Sequence, residues 1–325
     1  MRDVPIAVLN EHPDWQKRLY AELSRRDLGF EEIPLHDACF DPSERKVPYK
    51  MVVNRASPSA WRRDHGNAIF FAQSALAYYE TTGARVVNGR DAYLLETSKA
   101  VQAMLLARLG IRTPRALVAN SVGAIRRAAE RLVWPLVVKP NIGGSGAGIV
   151  RFDDRDALEA WLAASPSFGI DGQVLVQEFH PARDGYIVRV EMLGSKHLYS
   201  VRIWPDTTDF NLCPADVCQV PDKGAAKPAE STEFEVCLAA PVKTLRIERH
   251  EESPDMVEAA RRIVAEGHLD VAGVEYLVSS RDGERYVYDI NALSNFVRDA
   301  ENVVGFDPTK VFVDWMQAEL DHRSR

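Results

Sequence analysis

The chain has 325 residues, a composition ordinary for a soluble globular protein and a formal net charge of −7. That length predicts two or three domains, and the acidic balance argues against a nucleic-acid binder dominated by phosphate contacts. No apolar run reaches the roughly 20 residues that span a bilayer, and the N-terminal apolar stretch is too short for a signal peptide, so the expected compartment is cytoplasmic, without membrane association.

The first segment, to about residue 95, carries short apolar runs at 6–9, 51–53 and 85–87 that read as strands, separated by helical stretches at 15–25 and 66–80. That alternation predicts a small α/β layer. Between them, NRASPSAWRRDHGN places Arg55, Arg62, Arg63 and His65 in one loop, which either grips a substrate carboxylate or is solvated surface charge. Thr97 or Ser98 can cap a helix running through Leu109, with Gly110 past its end and Pro114 closing the turn. A second helix is expected from Ser121, stopping near Trp134-Pro135.

Residues 136–152, LVVKPNIGGSGAGIVRF, read as strand, flexible loop, strand. Glycine tolerates positive φ and lets backbone N–H groups approach an anion, so Gly143, Gly144, Gly146 and Gly148 suit a loop that cradles a polyphosphate, with Lys139 as its point charge. The dinucleotide fingerprint would need glycine where Ile149 stands, and the P-loop would need Lys-Ser/Thr where Ile149 and Val150 stand. The loop therefore caps a hairpin; alone, it is either a nucleotide-binding loop or an ordinary mobile surface loop. A helix at 154–163 and a strand at 174–178 complete a compact α+β module.

Two alternating runs, YIVRVEML and HLYSVRIW, flank Gly194-Ser195, a two-residue hairpin signal. That loop would set Arg189 opposite Ser200 and Ile187 opposite Arg202, putting both arginines on one face with Glu191, although such a face can also be plain solvated surface. Residues 205–241 form a long connection rich in Pro, Asp, Ala and Lys. It holds Cys213, Cys218 and Cys237; with Cys39 these make neither a disulfide framework nor a zinc site, and read as buried or idle thiols. A helix at 254–266 and strands at 272–278 and 285–291 follow, the strands bracketing Arg281-Asp282-Gly283. A three-residue loop there pairs 280 with 284 and sets Glu275 opposite Asp289, with Asn291 on the same face. That all-oxygen cluster suits Mg²⁺ shared with nucleotide phosphates. A two-residue turn would instead put Glu275 opposite Ile290, on the wrong face, and outward polar residues on a one-sided sheet are the plain alternative.

Taken together, SKAVQAMLLARLGIRTP, VVKPNIGGSGAGI, LVQEF, the IVRVEMLG–LYSVRI hairpin and the spaced Glu275 and DIN motif resemble the ATP-grasp superfamily, and within it the RimK-like carboxylate–amine ligases, over roughly residues 95 to 305. The resemblance implies an α/β plus α+β architecture: a Rossmann-like pre-ATP-grasp domain at 1–95, a central lid subdomain at 96–184, and a C-terminal subdomain with the metal site at 185–325. ATP would lie between the two α+β subdomains. Lys99 and Lys139 match the lysines that contact nucleotide phosphates, and Gly143, Gly144, Ser145 and Gly146 the loop that folds over them. Gln177, Glu178 and Phe179 match the segment that holds adenine; Glu275, Asp289 and Asn291 match ligands of two Mg²⁺ ions, with Mn²⁺ as the alternative metal. Arg189 and Arg202 match hairpin positions that face the reaction.

What the resemblance implies is transfer of the γ-phosphoryl group of ATP to a carboxylate, then attack of an amine on the acyl phosphate, with ADP and phosphate released. The substrates would be small amino acids or peptides, with no direct nucleic-acid binding and a homo-oligomer left open. A ligase that crosslinks peptide side chains and a non-catalytic nucleotide-binding module stand as competing readings. The chain departs from the family pattern at Ile187, where members usually place an Asp for the ribose hydroxyls and for which Asp184 is the candidate substitute, after Asp209-Phe210, where an arginine is missing, and in the ALSNF segment after Asn291.

Overall fold

Strands β1 (Ile6–Asn10), β2 (Phe30–Pro34), β3 (Met51–Arg55) and β4 (Arg85–Val87) form a parallel sheet of order β2-β1-β3-β4. The computed structural model describes residues 4–204 and 246–323 apart from positions 13, 145 and 298. β1 and β3 are buried along their whole length, as central parallel strands with both faces covered must be. Helix α1 (Lys17–Arg25) packs Leu19 and Leu23 on the Ile6, Val8, Met51 and Val53 face, while α2 (Gly66–Thr81) packs Ile69, Ala72 and Leu76 on the Ala7, Leu9 and Val52 face. β2 goes unread in the sequence because Glu31 and Glu32 are exposed and break any apolar run.

Helix α3 (Arg90–Glu96) leads into α4 (Lys99–Arg108), whose N-cap is Ser98: its Oγ accepts from Val101 N at 3.3 Å. The second sheet has order β5-β8-β6-β7, with β5 (Ala116–Ala119), β6 (Leu136–Pro140), β7 (Val150–Phe152) and β8 (Val174–Glu178) all antiparallel to their neighbours. Helices α5 (Val122–Ala129) and α6 (Arg155–Ala163) begin at the caps Ser121 and Asp154 and cover one face through Ile125, Leu158 and Leu162, against Leu136 and Val138. Strand alternation then sends Lys139 to the other face.

The third sheet, of order β11-β10-β9-β12-β13, is antiparallel throughout: β9 (Ile187–Leu193), β10 (Lys196–Trp204), β11 (Arg246–His250), β12 (Val271–Val278) and β13 (Arg285–Asn291). Helix α7 (Pro254–Glu266) buries Met256, Ala260 and Ile263 against Val188, Val190, Met192, Ala272 and Val274, so residues 189, 191, 273 and 275 turn to the opposite face. After the short α8 (Ala300–Val304), helix α9 (Pro308–Arg323) returns to the first sheet, where Phe312, Val313 and Met316 join the Ile6, Val8 and Leu23 core. The span 185–325 thus ends against residues of the span 1–95.

Candidate active site

One cavity gathers residues from all three sheets, among them Pro58 and Ser59, Lys99, Lys139, Gly143, Gly144 and Gly146, and Arg189, Glu275, Asp289, Asn291 and Ser294. Lys99 sits in the first turn of α4 and donates from Nζ to Asp289 Oδ1 at 2.9 Å. Asn141, buried just after β6, ties this helix start to the glycine loop. Its Oδ1 accepts from Ser98 Oγ at 3.1 Å and Ala100 N at 2.9 Å, and its Nδ2 donates to Asp171 Oδ2 at 2.8 Å. Lys139 is buried, with Tyr288 O at 3.4 Å from its Nζ. Gly146 and Gly148 have φ of +71° and +74°, which only glycine adopts freely, and a Cβ at Gly144 would lie 3.3 Å from that of Ser59. The loop thus rests against the first sheet's Pro58-Ser59 turn. Ser145 lies outside the described residues.

The expected Glu275–Asp289 pairing is present, reached by a different route. Ser279 N donates to Glu284 O and Gly283 N to Ser279 O, a longer turn than the three-residue loop predicts, and the register shift beyond Glu275 then leaves Tyr288 as the extra residue and restores Glu275 opposite Asp289. Tyr288 is put to use, since its hydroxyl donates to Glu275 Oε2 at 3.1 Å. Glu275 Oε1 accepts from Arg189 Nη1 at 2.8 Å and Asn291 Nδ2 at 3.1 Å. Arg189 is held on two more sides, donating from Nε to Glu191 Oε1 at 2.7 Å and from Nη2 to Ser294 Oγ at 2.9 Å.

The expected shared face of the two arginines is corrected by a second bulge. From Leu193 to Met192 the register follows the two-residue turn, but a shift between His197 and Tyr199 sets Arg189 opposite Val201 and Arg202 opposite Val188. Arg202 therefore points to the other face, where its Nε donates to His250 Nδ1 at 3.2 Å and its guanidinium lies 5.0 Å from the Tyr186 ring. The adenine segment is also apart from the cavity lining: Gln177 Nε2 donates to Pro114 O at 3.3 Å, Glu178 Oε1 accepts from Val133 N at 3.0 Å, and Phe179 lies under Arg151, 4.4 Å from ring centre to guanidinium. Asp184, the candidate for the ribose, faces Arg183 at 3.3 Å. In the His65 loop, Arg63 donates to both oxygens of Glu11, at 3.0 and 2.5 Å, and His65 Nδ1 lies 2.8 Å from Glu11 Oε1. Cys39 is free and exposed, whereas Cys213, Cys218, Cys237 and all of 205–241 lie outside the described residues.

Burial, and then the neighbouring Lys99, push the Lys139 ammonium down to about 8. Burial would lower Lys99 too, but the Asp289 carboxylate outweighs it and holds Lys99 above the ordinary lysine range. Glu96, the last residue of α3, lines the same cavity and takes Leu293 N on Oε2 at 3.1 Å. Burial, then repulsion from Asp289, raise its carboxyl to about 7. Sequence reading missed Glu96, though an acid in the last turn of a helix, against the macrodipole, is a signal that could have found it.

This arrangement of two α+β sheets with a glycine hairpin and a lysine–carboxylate cavity between them is the ATP-grasp fold. Residues 97–210 match the RimK-like ATP-grasp domain model. The chain is 27% identical over 254 residues to ribosomal protein bS6–L-glutamate ligase of Escherichia coli O81 (strain ED1a), covering 78% of this chain and 74% of that one. Among solved structures it aligns with the ATP-grasp ligase PsnB complexed with a phosphomimetic variant of minimal precursor, Mg and ADP, at TM-score 0.65 and 21% identity, covering 98% and 99% of the two chains. D-alanine–D-alanine ligase from Bacillus anthracis complexed with ATP gives TM-score 0.65 at 16% identity over 98% of each chain. The described residues thus have the ATP-grasp fold, and residues 97–210 match a RimK-like ATP-grasp domain. No helix among the described residues is long and apolar enough to cross a membrane.

Proposed function

We propose that this chain is an ATP-dependent, ADP-forming carboxylate–amine ligase that joins a small amino acid or peptide carboxylate to an amine through an acyl phosphate, with spans 1–95, 96–184 and 185–325 acting as substrate, lid and metal-bearing units. What supports the reading is one observation: Lys99, Lys139, Arg189, Glu275, Asp289 and Asn291 meet in a single cavity under the glycine loop. A module without chemistry has little need of all six. A ligase that works on a peptide or protein is kept within the proposal, because the named relatives include one that acts on a ribosomal protein and one solved with a precursor.

Lys99 and Lys139 would hold the polyphosphate, the backbone of 143–148 would close over it, and Gln177, Glu178 and Phe179 would bound the adenine from outside the present cavity. Among the described residues no group of three or more His, Cys, Asp or Glu is arranged for a metal. Glu275, Asp289 and Asn291 nevertheless fit Mg²⁺, because Asn291 donates its Nδ2 to Glu275 and keeps its oxygen for a ligand, and Mg²⁺ ordinarily completes an oxygen shell with phosphates and water. Bound there, two Mg²⁺, or Mn²⁺ in their place, would neutralise charge on the phosphates. A carboxylate oxygen attacks the γ-phosphorus and ADP departs; the amine nitrogen then attacks the acyl carbon, losing a proton as phosphate leaves. Arg189, fixed by two carboxylates, supplies positive charge beside these oxygens without moving. We carry the cytoplasm and a homo-oligomer as parts of the same reading. ADP release measured with Mg²⁺-ATP across amino acids and short peptides tests it: release that needs both a carboxylate and an amine supports it, and none with any pair, while ATP still binds, would return the chain to a nucleotide-binding module.

A further inference from the structure

Arg55 closes β3 with only 6% of its surface exposed. Its guanidinium donates to Gln16 Oε1 at 3.1 Å, to the main-chain oxygen of Ser294 at 3.0 Å and to Asn295 Oδ1, all of them neutral acceptors. Among the described residues no carboxylate forms an ion pair with it, and Glu96 and Glu191 act on it only through space. A buried arginine ordinarily has an anion, since a charge taken from water without one is costly.

Beside it stand two further unmet donors, although Asn10 Oδ1 and Glu191 Oε2 are buried acceptors without a partner among the described residues as well. Gln16 Nε2 and Trp15 Nε1 are buried donors that have no hydrogen-bond partner among the described residues. Arg55 also fixes two amides: because Gln16 and Asn295 both turn their oxygens to the guanidinium, both are left with N–H groups to give elsewhere. Trp15 and Asn295 line the same cavity as Lys139 and Arg189, with Ser294 between. On the phosphate side of that cavity two cations are met by carboxylates, Lys99 by Asp289 and Arg189 by Glu191 and Glu275, and Lys139 is left to the polyphosphate. Arg55, at the opposite wall, is likewise a cation with no ion pair among the described residues.

We infer that the wall formed by Trp15 and Asn295, with Arg55 directly behind it, receives a carboxylate of the substrate that does not react. A carboxylate brings two acceptor oxygens and the missing negative charge to a place with surplus donors, and charge-assisted hydrogen bonds there are worth more than neutral ones. The inference deepens the ligase reading and rests on it for the direction from which the substrate enters. It makes the substrate class narrower: one carboxyl must react at the phosphates and a second must remain free at the first sheet.

Matched acid and amide pairs that each keep a carboxyl able to react test it: L-glutamate and L-isoglutamine, L-aspartate and L-isoasparagine, L-alanyl-L-glutamate and its α-amide. Each is assayed for ADP release with Mg²⁺-ATP and, separately, for the rise in Tm it causes alongside a non-hydrolysable ATP analogue. At least one acid should surpass its amide by about tenfold in KM, the worth of a hydrogen bond to a charged group, with kcat changed little. Asn295→Asp gives Arg55 a carboxylate from within the chain, so it should keep or raise the Tm of the free protein and abolish the preference; Arg55→Met should abolish it as well. Amides that serve as well as acids in every pair, or an Asn295→Asp protein that keeps the full preference, would overturn the inference. A Tm preference for acids without any ADP release upholds this site and counts against the ligase reading instead.

Discussion

Gly273 lies flat beneath the guanidinium of Arg189: a Cβ placed there would come within 2.5 Å of Nη2 and 2.7 Å of Cζ and Nε. Arg189 cannot retreat, because Glu191, Glu275 and Ser294 hold it from three directions. Gly273→Ala should therefore cost about 1–3 kcal/mol, the usual range for overpacking a filled site, and should lower kcat for ADP formation by a larger factor than it raises KM for ATP. Thermal denaturation and steady-state kinetics check both; an unchanged Tm with unchanged turnover would mean that Arg189 is not so confined.

Lys139 predicts proton uptake on ATP binding. Its ammonium is pushed down to about 8 in the free protein by burial and then by Lys99, and a polyphosphate drawn beside it restores the charge. ATP affinity should accordingly fall as pH rises above about 8, and calorimetry near pH 8.5 in buffers of different ionisation enthalpy should register protons taken up. The free protein behaves oppositely, since a lysine depressed by folding adds stability as pH rises from about 8 toward its unfolded value. Lys139→Met should remove the uptake; uptake that persists in this variant would locate the proton elsewhere.

Glu96 carries the reverse sign. A carboxyl raised to about 7 favours the folded state when protonated, so its contribution is complete below the unfolded carboxyl value and is lost as pH climbs through about 7. Glu96→Gln keeps an oxygen for Leu293 N and has no proton to lose. The variant should be the more stable protein at about pH 8, with the difference shrinking toward pH 5. Tm curves that run parallel across this window would show that Glu96 does not titrate in it.

Asn141 joins the start of α4 to the glycine loop through four partners: Ser98 Oγ, Ala100 N, Asp171 Oδ2 and, from its main-chain oxygen, Lys99 N. Asn141→Leu strands three buried or half-buried polar groups, at about 1–3 kcal/mol for an unmet group of this kind. Lys99 then loses its fixed approach to Asp289, so KM for ATP should rise together with a lower Tm. A lower Tm with an unchanged KM would show that Lys99 is positioned without Asn141.

Much of this site was legible because short-range chemistry sets it. Ser98 announces α4 by its cap, four glycines after Lys139 announce the hairpin loop, and Glu275 and Asp289 stand out as acids within apolar strands. What was not legible depends on irregular pairing. The bulge between His197 and Tyr199 leaves no mark in the alternation of HLYSVRIW, yet it turns Arg202 away from Arg189. The longer turn at 280–283 and the bulge at Tyr288 offset one another, so the predicted Glu275–Asp289 pairing survived a wrong turn. β5 was missed because four residues, ALVA, carry too little pattern. Glu96 and the partnerless charge of Arg55 are features of three-dimensional packing that no local spacing encodes.

The central claim is that a substrate carboxylate accepts the γ-phosphoryl group of ATP in this cavity. The most direct measurement takes a pair that supports ADP release, labels its reacting carboxylate with ¹⁸O, and follows the label by mass spectrometry of the inorganic phosphate. Passage through an acyl phosphate transfers one labelled oxygen to phosphate for each amide formed, and Asp289→Ala should suppress both together. Phosphate free of label, or AMP and pyrophosphate in place of ADP and phosphate, would contradict the account.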